Sequence, residues 1–345
     1  MAAPIDFVLP EMLNATAPPE RRGIRRDHVR LMISDRRTGE SQHTKFYCLP
    51  QYLRPGDVIA LNVSRTLPAV LKASWRRGER WVDPSVEIRL ASRIDEQSWE
   101  ALVVGEGVKA GDIFQFSPSL FAVVTVVRAE NPLVRLRFSL QGAELLEQFY
   151  KFGEPIRYEY IDQPWDLDYY QTVYASVPGS VEIPSAGRAF SWELLIQLRK
   201  KGVQVVSLTL HTGLSDLLDD RYRLEPEKNC EYYSIPEQTA RVINEAKKSG
   251  GRVIAVGTTV VRALESAALS GGVCVAKEGR TCLRIHEQTP LQVVDGLMTG
   301  FHEPEASHLD LLSAFVPPPI LSGMYDEAVR ERYLWHEFGD IHLIL

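Results

Sequence analysis

A chain of 345 residues with 45% hydrophobic and 24% charged side chains is too long for one ordinary core and has the composition of a two-domain soluble enzyme, not of a disordered or fibrous chain. No apolar run approaches the roughly 18 residues needed to span a bilayer, and Met1-Ala-Ala-Pro-Ile-Asp lacks a basic stretch followed by an apolar one, so neither a membrane protein nor a secreted precursor is expected and the location reads as cytoplasmic. A net charge of −6 speaks against nucleic acid as partner, yet residues 20–80 carry fourteen Lys or Arg against six Asp or Glu, a local +8 that leaves −14 elsewhere.

Within that basic window the clusters Arg21-Arg22, Arg25-Arg26, Arg36-Arg37 and Arg76-Arg77 suit an RNA backbone, and equally suit ordinary solvated faces. The alternation Val29-Arg-Leu-Met-Ile-Ser-Asp, a turn with Gly39, and Thr44-Lys-Phe-Tyr predict a hairpin, and Val58-Ile-Ala-Leu-Asn a buried strand. From Val86 to Ser139 short alternating runs follow one another with no helical interruption: Val86-Glu-Ile-Arg-Leu, Trp99-Glu-Ala-Leu-Val-Val, Asp112-Ile-Phe-Gln-Phe, Phe121 to Val127 and Leu133-Val-Arg-Leu-Arg-Phe. They predict a small antiparallel barrel.

After residue 150 helices and strands alternate. Ser191 caps a helix through Lys201 that Gly202 stops, a strand follows from Val203, Pro236 opens a helix through Lys248, and Arg252-Val-Ile-Ala-Val-Gly is a buried strand leading through Thr258-Thr259 into a helix ending near Ala268. The fold class is therefore an α/β main domain, discontinuous over residues 1–72 and 151–345, with an inserted small antiparallel all-β barrel domain over 73–150. Cys48, Cys230, Cys274 and Cys282 show neither CxxC spacing nor a dense framework, so free thiols are expected in place of a zinc site or disulfides.

Strand, Gly257, Thr258, Thr259, helix: such a junction turns free amides and the positive end of a helix toward one spot and suits an anion, although threonines also cap helices routinely. Arg262 and Glu265, three apart on that helix, either pair on the surface or face the same pocket. His211 stands at a strand end before Thr212-Gly213, a common functional position in α/β folds. His302 lies in Gly300-Phe-His-Glu-Pro, and His308 nearby has too irregular a context to support a metal centre. GxSxG, Walker A and GxGxxG motifs are absent.

These segments, in this order, resemble the S-adenosylmethionine:tRNA ribosyltransferase-isomerase family of queuosine biosynthesis. Leu53-Arg-Pro-Gly-Asp and Asn62-Val-Ser-Arg-Thr-Leu-Pro-Ala are similar to its LRPGD and NDTRVIPA blocks. Tyr170-Gln-Thr-Val-Tyr-Ala, Pro178-Gly-Ser-Val and Ser185-Ala-Gly-Arg-Ala-Phe are similar to YQTVYA and PGSVAAPTAGLHF. Leu208-Thr-Leu-His-Thr-Gly-Leu resembles LTLHVGL, and Gly250 to Ser266 resembles GGRVIAVGTTSVRTLES. Val294-Asp-Gly-Leu-Met-Thr-Gly-Phe-His-Glu-Pro, Ser313-Ala-Phe and Gly339-Asp340 extend the likeness to the carboxyl end.

The resemblance implies transfer of the ribosyl part of S-adenosylmethionine to a 7-aminomethyl-7-deazaguanine at the tRNA wobble position, giving epoxyqueuosine, adenine and methionine. It implies tRNA as partner, S-adenosylmethionine as co-substrate, no metal and no membrane, and a monomer is expected. Matched positions put Arg65, His211, Glu231 and His302 in catalytic roles and Gly257, Thr258, Thr259, Arg262, Glu265 and Asp340 around the co-substrate. The chain departs from the motifs at Val63, Ala189, Asn229 and Gly300, where they have aspartate, histidine, histidine and asparagine. Groups able to move protons are lost there, so catalysis is expected to suffer more than binding. A paralogue that uses another acceptor and a non-catalytic RNA-binding protein remain alternative readings.

Overall fold

The computed structural model of the protein describes residues 5, 7–158, 160–161, 163–215, 230–304 and 306–345, so that Asn229 lies outside the described residues. Strands β1, Arg30–Ser34, and β2, Ser41–Lys45, form the expected hairpin. Its turn is held by the Asp35 carboxylate, which accepts from the amides of Arg37 (2.8 Å) and Thr38 (3.1 Å), while Gly39 takes a φ of 79° that a side chain would resist. Phe46, expected in the second strand, instead opens a 3-10 turn, Phe46–Gln51, because its ring is fully buried edge-on to Phe190 at 5.0 Å.

Strand β3, Val58–Asn62, is buried at every position. Asp57 fixes its start, accepting from the Arg54 amide (2.8 Å) and from the Arg252 guanidinium (2.6 Å). The short β4, Ser64–Thr66, then leads into β5 (Val70–Arg77), β6 (Arg80–Arg93), β7 (Ser98–Val104), β8 (Ile113–Gln115), β9 (Phe121–Arg128) and β10 (Asn131–Phe138). These six close into a barrel in the order β10-β7-β6-β5-β8-β9, which removes every free edge and buries Leu71, Trp75, Ile88, Leu90, Trp99 and Phe114.

The barrel thus begins at Val70, and the residues from 142 onward are not strand but helix α1, Gly142–Phe152. Leu145 and Phe149, four apart, make one apolar stripe, and the Phe149 ring meets Trp99 at 5.5 Å and Phe138 at 5.3 Å. Packing of that stripe on the barrel core decides the helix where a search for alternation sees only the end of a strand region.

The chain returns through β11, Val177–Ser180, which pairs parallel with β4. Helix α2, Trp192–Lys200, is capped by Ser191, whose hydroxyl accepts from the Leu194 amide at 3.2 Å and donates to Asp27 at 2.6 Å. Then come β12 (Gln204–Leu210), β13 (Glu231–Ile235), α3 (Glu237–Lys248), β14 (Val253–Val256) and α4 (Thr258–Ser266). A small pair, β15 (Ala268–Leu269) and β16 (Val273–Cys274), precedes β17 (Lys277–Thr281), β18 (Gly296–Thr299), α5 (Ser307–Leu312), α6 (Pro318–Arg330) and β19 (Ile341–Ile344).

Among the described residues the main sheet has nine strands in the order β17-β13-β12-β3-β14-β18-β19-β1-β2. Neighbours β12, β3, β14 and β18 run parallel, so His211, Val63, Gly257 and Gly300, the residues that follow them, emerge at one edge. Open α/β sheets bind ligands at that carboxyl edge.

The cysteine expectation is corrected: Cys230 and Cys282 form a disulfide, while Cys48 and Cys274 are free. The two cysteines flank the cross-strand pair Glu231 and Thr281, so the antiparallel register of β13 with β17 brings their Cα atoms to 4.3 Å. A separation of 52 residues carries no trace of this register.

Candidate active site

A cleft of about 440 Å³ opens at the carboxyl edge of the parallel strands, and a smaller lobe of about 200 Å³ adjoins it. Both share Glu182, Thr212, Ser215, Thr258, Thr259, Ser307 and His308. The volume suits a ligand of cofactor size.

Gly257 is the N-cap of α4, with a φ of 92° and no side chain to satisfy the first amides of the helix. Its own amide donates to the Met298 carbonyl at 2.8 Å, which ties the junction to β18. Thr258 and Thr259 line both lobes. The positive end of a helix with no capping side chain, beside two hydroxyls, favours an anionic group.

One turn on, Arg262 donates to the Glu231 carboxylate, and it also donates to the carbonyls of Leu283 (3.1 Å) and Thr281 (3.4 Å). The other Glu231 oxygen accepts from the Gly213 amide at 3.0 Å. Both residues line the smaller lobe, so Arg262 faces the pocket and does not form a surface pair with Glu265. Glu265 instead accepts from the amides of Gln292 (2.8 Å), Val293 (3.0 Å) and Val294 (2.9 Å), a loop-holding task outside both lobes.

His302 lines the larger lobe, where its Nε2 is 2.8 Å from the Thr299 hydroxyl and its ring stacks on His308 at 4.4 Å. Burial, and then the neighbouring imidazoles of His308, His336 and His342, hold its pKa well below the usual histidine value. Its ring is therefore neutral at pH 7 and can act as a hydrogen-bond partner.

His211 stands beside the cleft without lining it. Its Nδ1 is 2.8 Å from the Ser64 hydroxyl, which is 2.6 Å from that of Ser180, and Ser180 accepts from the amide of the cleft residue Thr212 at 2.9 Å. Burial, with the charge of Arg93 adding to it, lowers its pKa to about 4. The ring fits only because residue 179 is glycine, since a Cβ there would come within 2.4 Å of it.

Arg65 and Asp340 lie outside the cleft lining. The Arg65 side chain is exposed over the Tyr150 ring at 5.9 Å, and buried Asp340 accepts from the amides of Arg30 (2.7 Å) and Leu334 (2.8 Å). Of the motif departures, Gly300 lines the cleft, Ala189 is buried in the core around Phe190, and Val63 donates its amide to Leu208.

Sequence reasoning missed Glu182, Glu303, Glu337, Tyr158, Tyr160 and His336, which line the larger lobe from four separate loops. Burial raises the Glu182 carboxyl, against two hydrogen bonds from Ser215, up to about 7, and it raises Glu303 and Glu337 as well. The Tyr160 hydroxyl donates to Glu337, and its ring stacks on His336 at 3.9 Å. No spacing marks these positions, because loops from residues 158 to 337 meet only in three dimensions.

The basic window is partly neutralised inside the fold. Arg25 lies 3.1 Å from Asp27, Arg26 is 3.2 Å from Glu20, Arg77 is 2.7 Å from Asp112, and Arg22 donates to the Phe338 carbonyl at 2.6 Å. Among the described residues no group of three or more His, Cys, Asp or Glu is placed to hold a metal, and no helix is long and apolar enough to cross a membrane.

Residues 3–344 match the family model described as queuosine biosynthesis protein. An S-adenosylmethionine:tRNA ribosyltransferase-isomerase of Carboxydothermus hydrogenoformans is 39% identical over 99% of this chain and 98% of its own. A protein of the same name from Thermotoga maritima is 38% identical with the same coverage. The crystal structure of an S-adenosylmethionine tRNA ribosyltransferase from Thermotoga maritima superposes with a TM-score of 0.55 at 33% identity, over 99% of each chain. The α/β sheet with its barrel is thus the scaffold of the structural relative, which is named as a ribosyltransferase. The chain belongs to the queuosine biosynthesis protein family and is an enzyme of tRNA modification.

Proposed function

We propose that the protein transfers and isomerises the ribosyl part of S-adenosylmethionine onto the aminomethyl group of 7-aminomethyl-7-deazaguanine in tRNA, with release of adenine and methionine. The observation that carries this reading is the amino end of α4, which has no capping side chain and opens, with Thr258 and Thr259, into a cleft whose walls hold neutral imidazoles and carboxyls of raised pKa. The free amides of α4 and the two hydroxyls suit the carboxylate of the methionine moiety. Arg262 and Glu231 hold the adjoining wall. Thr299, His302 and Thr212 offer neutral hydrogen-bonding groups to the leaving adenine, and a carboxyl that ionises near neutrality is suited to taking a proton at working pH. Val63 and Ala189 lie outside the cleft lining, so the acid–base work is assigned to groups that do line it.

The test is single-turnover incubation with S-adenosylmethionine labelled in the ribose and tRNA carrying the aminomethyl base. Adenine release matched by label in the tRNA is the expected result. Binding of S-adenosylmethionine with no transfer to this tRNA would move the assignment to another acceptor.

A further inference from the structure

Among the described residues Glu182 is the one carboxylate shared by both lobes. It follows Val181 in the stretch that resembles PGSVAAPTAGLHF, at a position where that motif has alanine. Ser215 holds it from one side, donating from its amide (2.7 Å) and its hydroxyl (2.9 Å), both to Oε1. The Tyr158 hydroxyl is 3.2 Å from that of Ser215 and adjoins the same carboxyl. A carboxylate whose one oxygen is fixed by two donors is oriented, and Oε2 is the oxygen with capacity for a further N–H.

The two lobes differ in how their carboxyls are paired. The lining of the larger one includes three carboxyls, Glu182, Glu303 and Glu337, and no Lys or Arg among the described residues. The smaller carries Arg262 and Arg284, each paired with a carboxylate of the same lobe, Glu231 and Asp310 (3.2 Å) respectively. An anionic end of a ligand is therefore favoured toward the uncapped amino end of α4, and a cationic end toward the carboxyls of the larger lobe, Glu182 among them. A sulfonium has no hydrogen to donate, whereas a primary ammonium has three.

We propose, resting on the function above, that Glu182 is a specificity-determining residue that receives the protonated primary amine of the acceptor base. The groups acting on it are Tyr158 after α1, Ser215 after β12 and Glu337 ahead of β19, while Thr212, Thr258, Thr259, His308, Glu303 and the pairs Arg262–Glu231 and Arg284–Asp310 line the same two lobes. Of these Glu337 adds negative charge that raises the Glu182 carboxyl, while Tyr158 and Ser215 lower it. An arriving ammonium favours the ionised carboxylate, so affinity for the aminated acceptor rises with pH through about 7, the value at which the free carboxyl ionises.

The experiment measures binding, so that it stands apart from turnover. Wild type, Glu182→Gln and Glu182→Ala are titrated with tRNA carrying the aminomethyl base and with the same tRNA after N-acetylation of that amine. In parallel they are titrated with S-adenosylmethionine and its analogue lacking the α-amino group. Wild type is expected to prefer the free amine over the acetylated base by about tenfold, and both variants to lose most of that preference while keeping their preference in the S-adenosylmethionine arm. In wild type alone the preference grows between pH 6 and 8, which keeps the idea testable if a variant folds poorly. Equal binding of the two tRNAs by wild type, or an undiminished preference in the variants, overturns the proposal. So does a change confined to the S-adenosylmethionine arm, which would give Glu182 to the amino group of the donor. A preference that depends on Glu182 without adenine release would sustain this inference and refute the proposed reaction.

Discussion

Arg262 on α4 and Glu231 at the start of β13 meet as a largely buried ion pair, and through Glu231 the helix that opens the cleft is joined to the Gly213 amide in the loop after β12. One carboxylate therefore ties together two of the walls that a ligand would touch. Replacing Glu231 by Gln removes the charge while keeping the size, and leaves a guanidinium in the protein wall without its counter-ion. The expected cost is about 3 kcal/mol, read as a lower urea midpoint at unchanged slope, with weaker ligand binding. An unchanged midpoint would mean that the pair adds nothing to the fold.

Stability is expected to fall as the solution is acidified below neutrality. Burial lowers the pKa of His342 to about 3, and those of His211 and His336 to about 4, from an ordinary 6.5. Between 6.5 and these values the unfolded chain binds protons that the folded one refuses, so the stability from neutral imidazoles is complete above about 6.5 and is lost as pH falls through the window. His342 is fully buried, with its Nε2 2.8 Å from the Ser34 hydroxyl and its ring stacked on Phe301 at 5.5 Å. The variant His342→Gln should show a shallower decline of melting temperature between pH 6.5 and 4; an identical pH profile would contradict the assignment.

Thiol counting tests the Cys230–Cys282 bond. In denaturant without reductant two thiols should react, those of Cys48 and Cys274, and after reduction all four. Reduction of the native protein should lower its stability by roughly 2–4 kcal/mol, since the bond closes a long loop. Four reactive thiols before reduction would exclude the bond.

Close packing around His211 gives a test by compensation. Gly179→Ala would press a methyl into the imidazole and should cost about 1–3 kcal/mol. Adding His211→Ala to that variant opens the space again, so the double variant should be more stable than the sum of the two single changes allows. Strict additivity would mean that the ring moves aside freely.

Much of the fold was legible in the residues because local rules and tertiary packing agree there. Alternation marked the barrel strands, Ser191 and Gly202 bounded α2, and the run from Arg252 to Thr259 announced a buried strand feeding a helix. Helix α1 was hidden because its stripe, Leu145 and Phe149, has meaning only against Trp99 and Phe138. At the site the junction at Gly257 could be read because its parts are consecutive, Arg262 and His302 stood out in their local context, and the resemblance brought in Glu231. Glu265 and Asp340 came in with the motifs although their carboxylates bind backbone amides. Motif membership does not separate a residue that shapes a loop from one that touches a ligand. Glu182, Glu303 and Glu337 stayed invisible because their raised pKa values arise from burial, which no linear spacing encodes.

Whether the cleft at the amino end of α4 is the seat of the co-substrate is decided most directly by calorimetric titration of S-adenosylmethionine into wild type, Thr258→Val and Arg262→Ala. Thr258 supplies a hydroxyl to both lobes, and Arg262 holds the wall one turn on, so each variant should bind about tenfold more weakly. Wild-type affinity retained in both variants would place the ligand elsewhere and contradict the account.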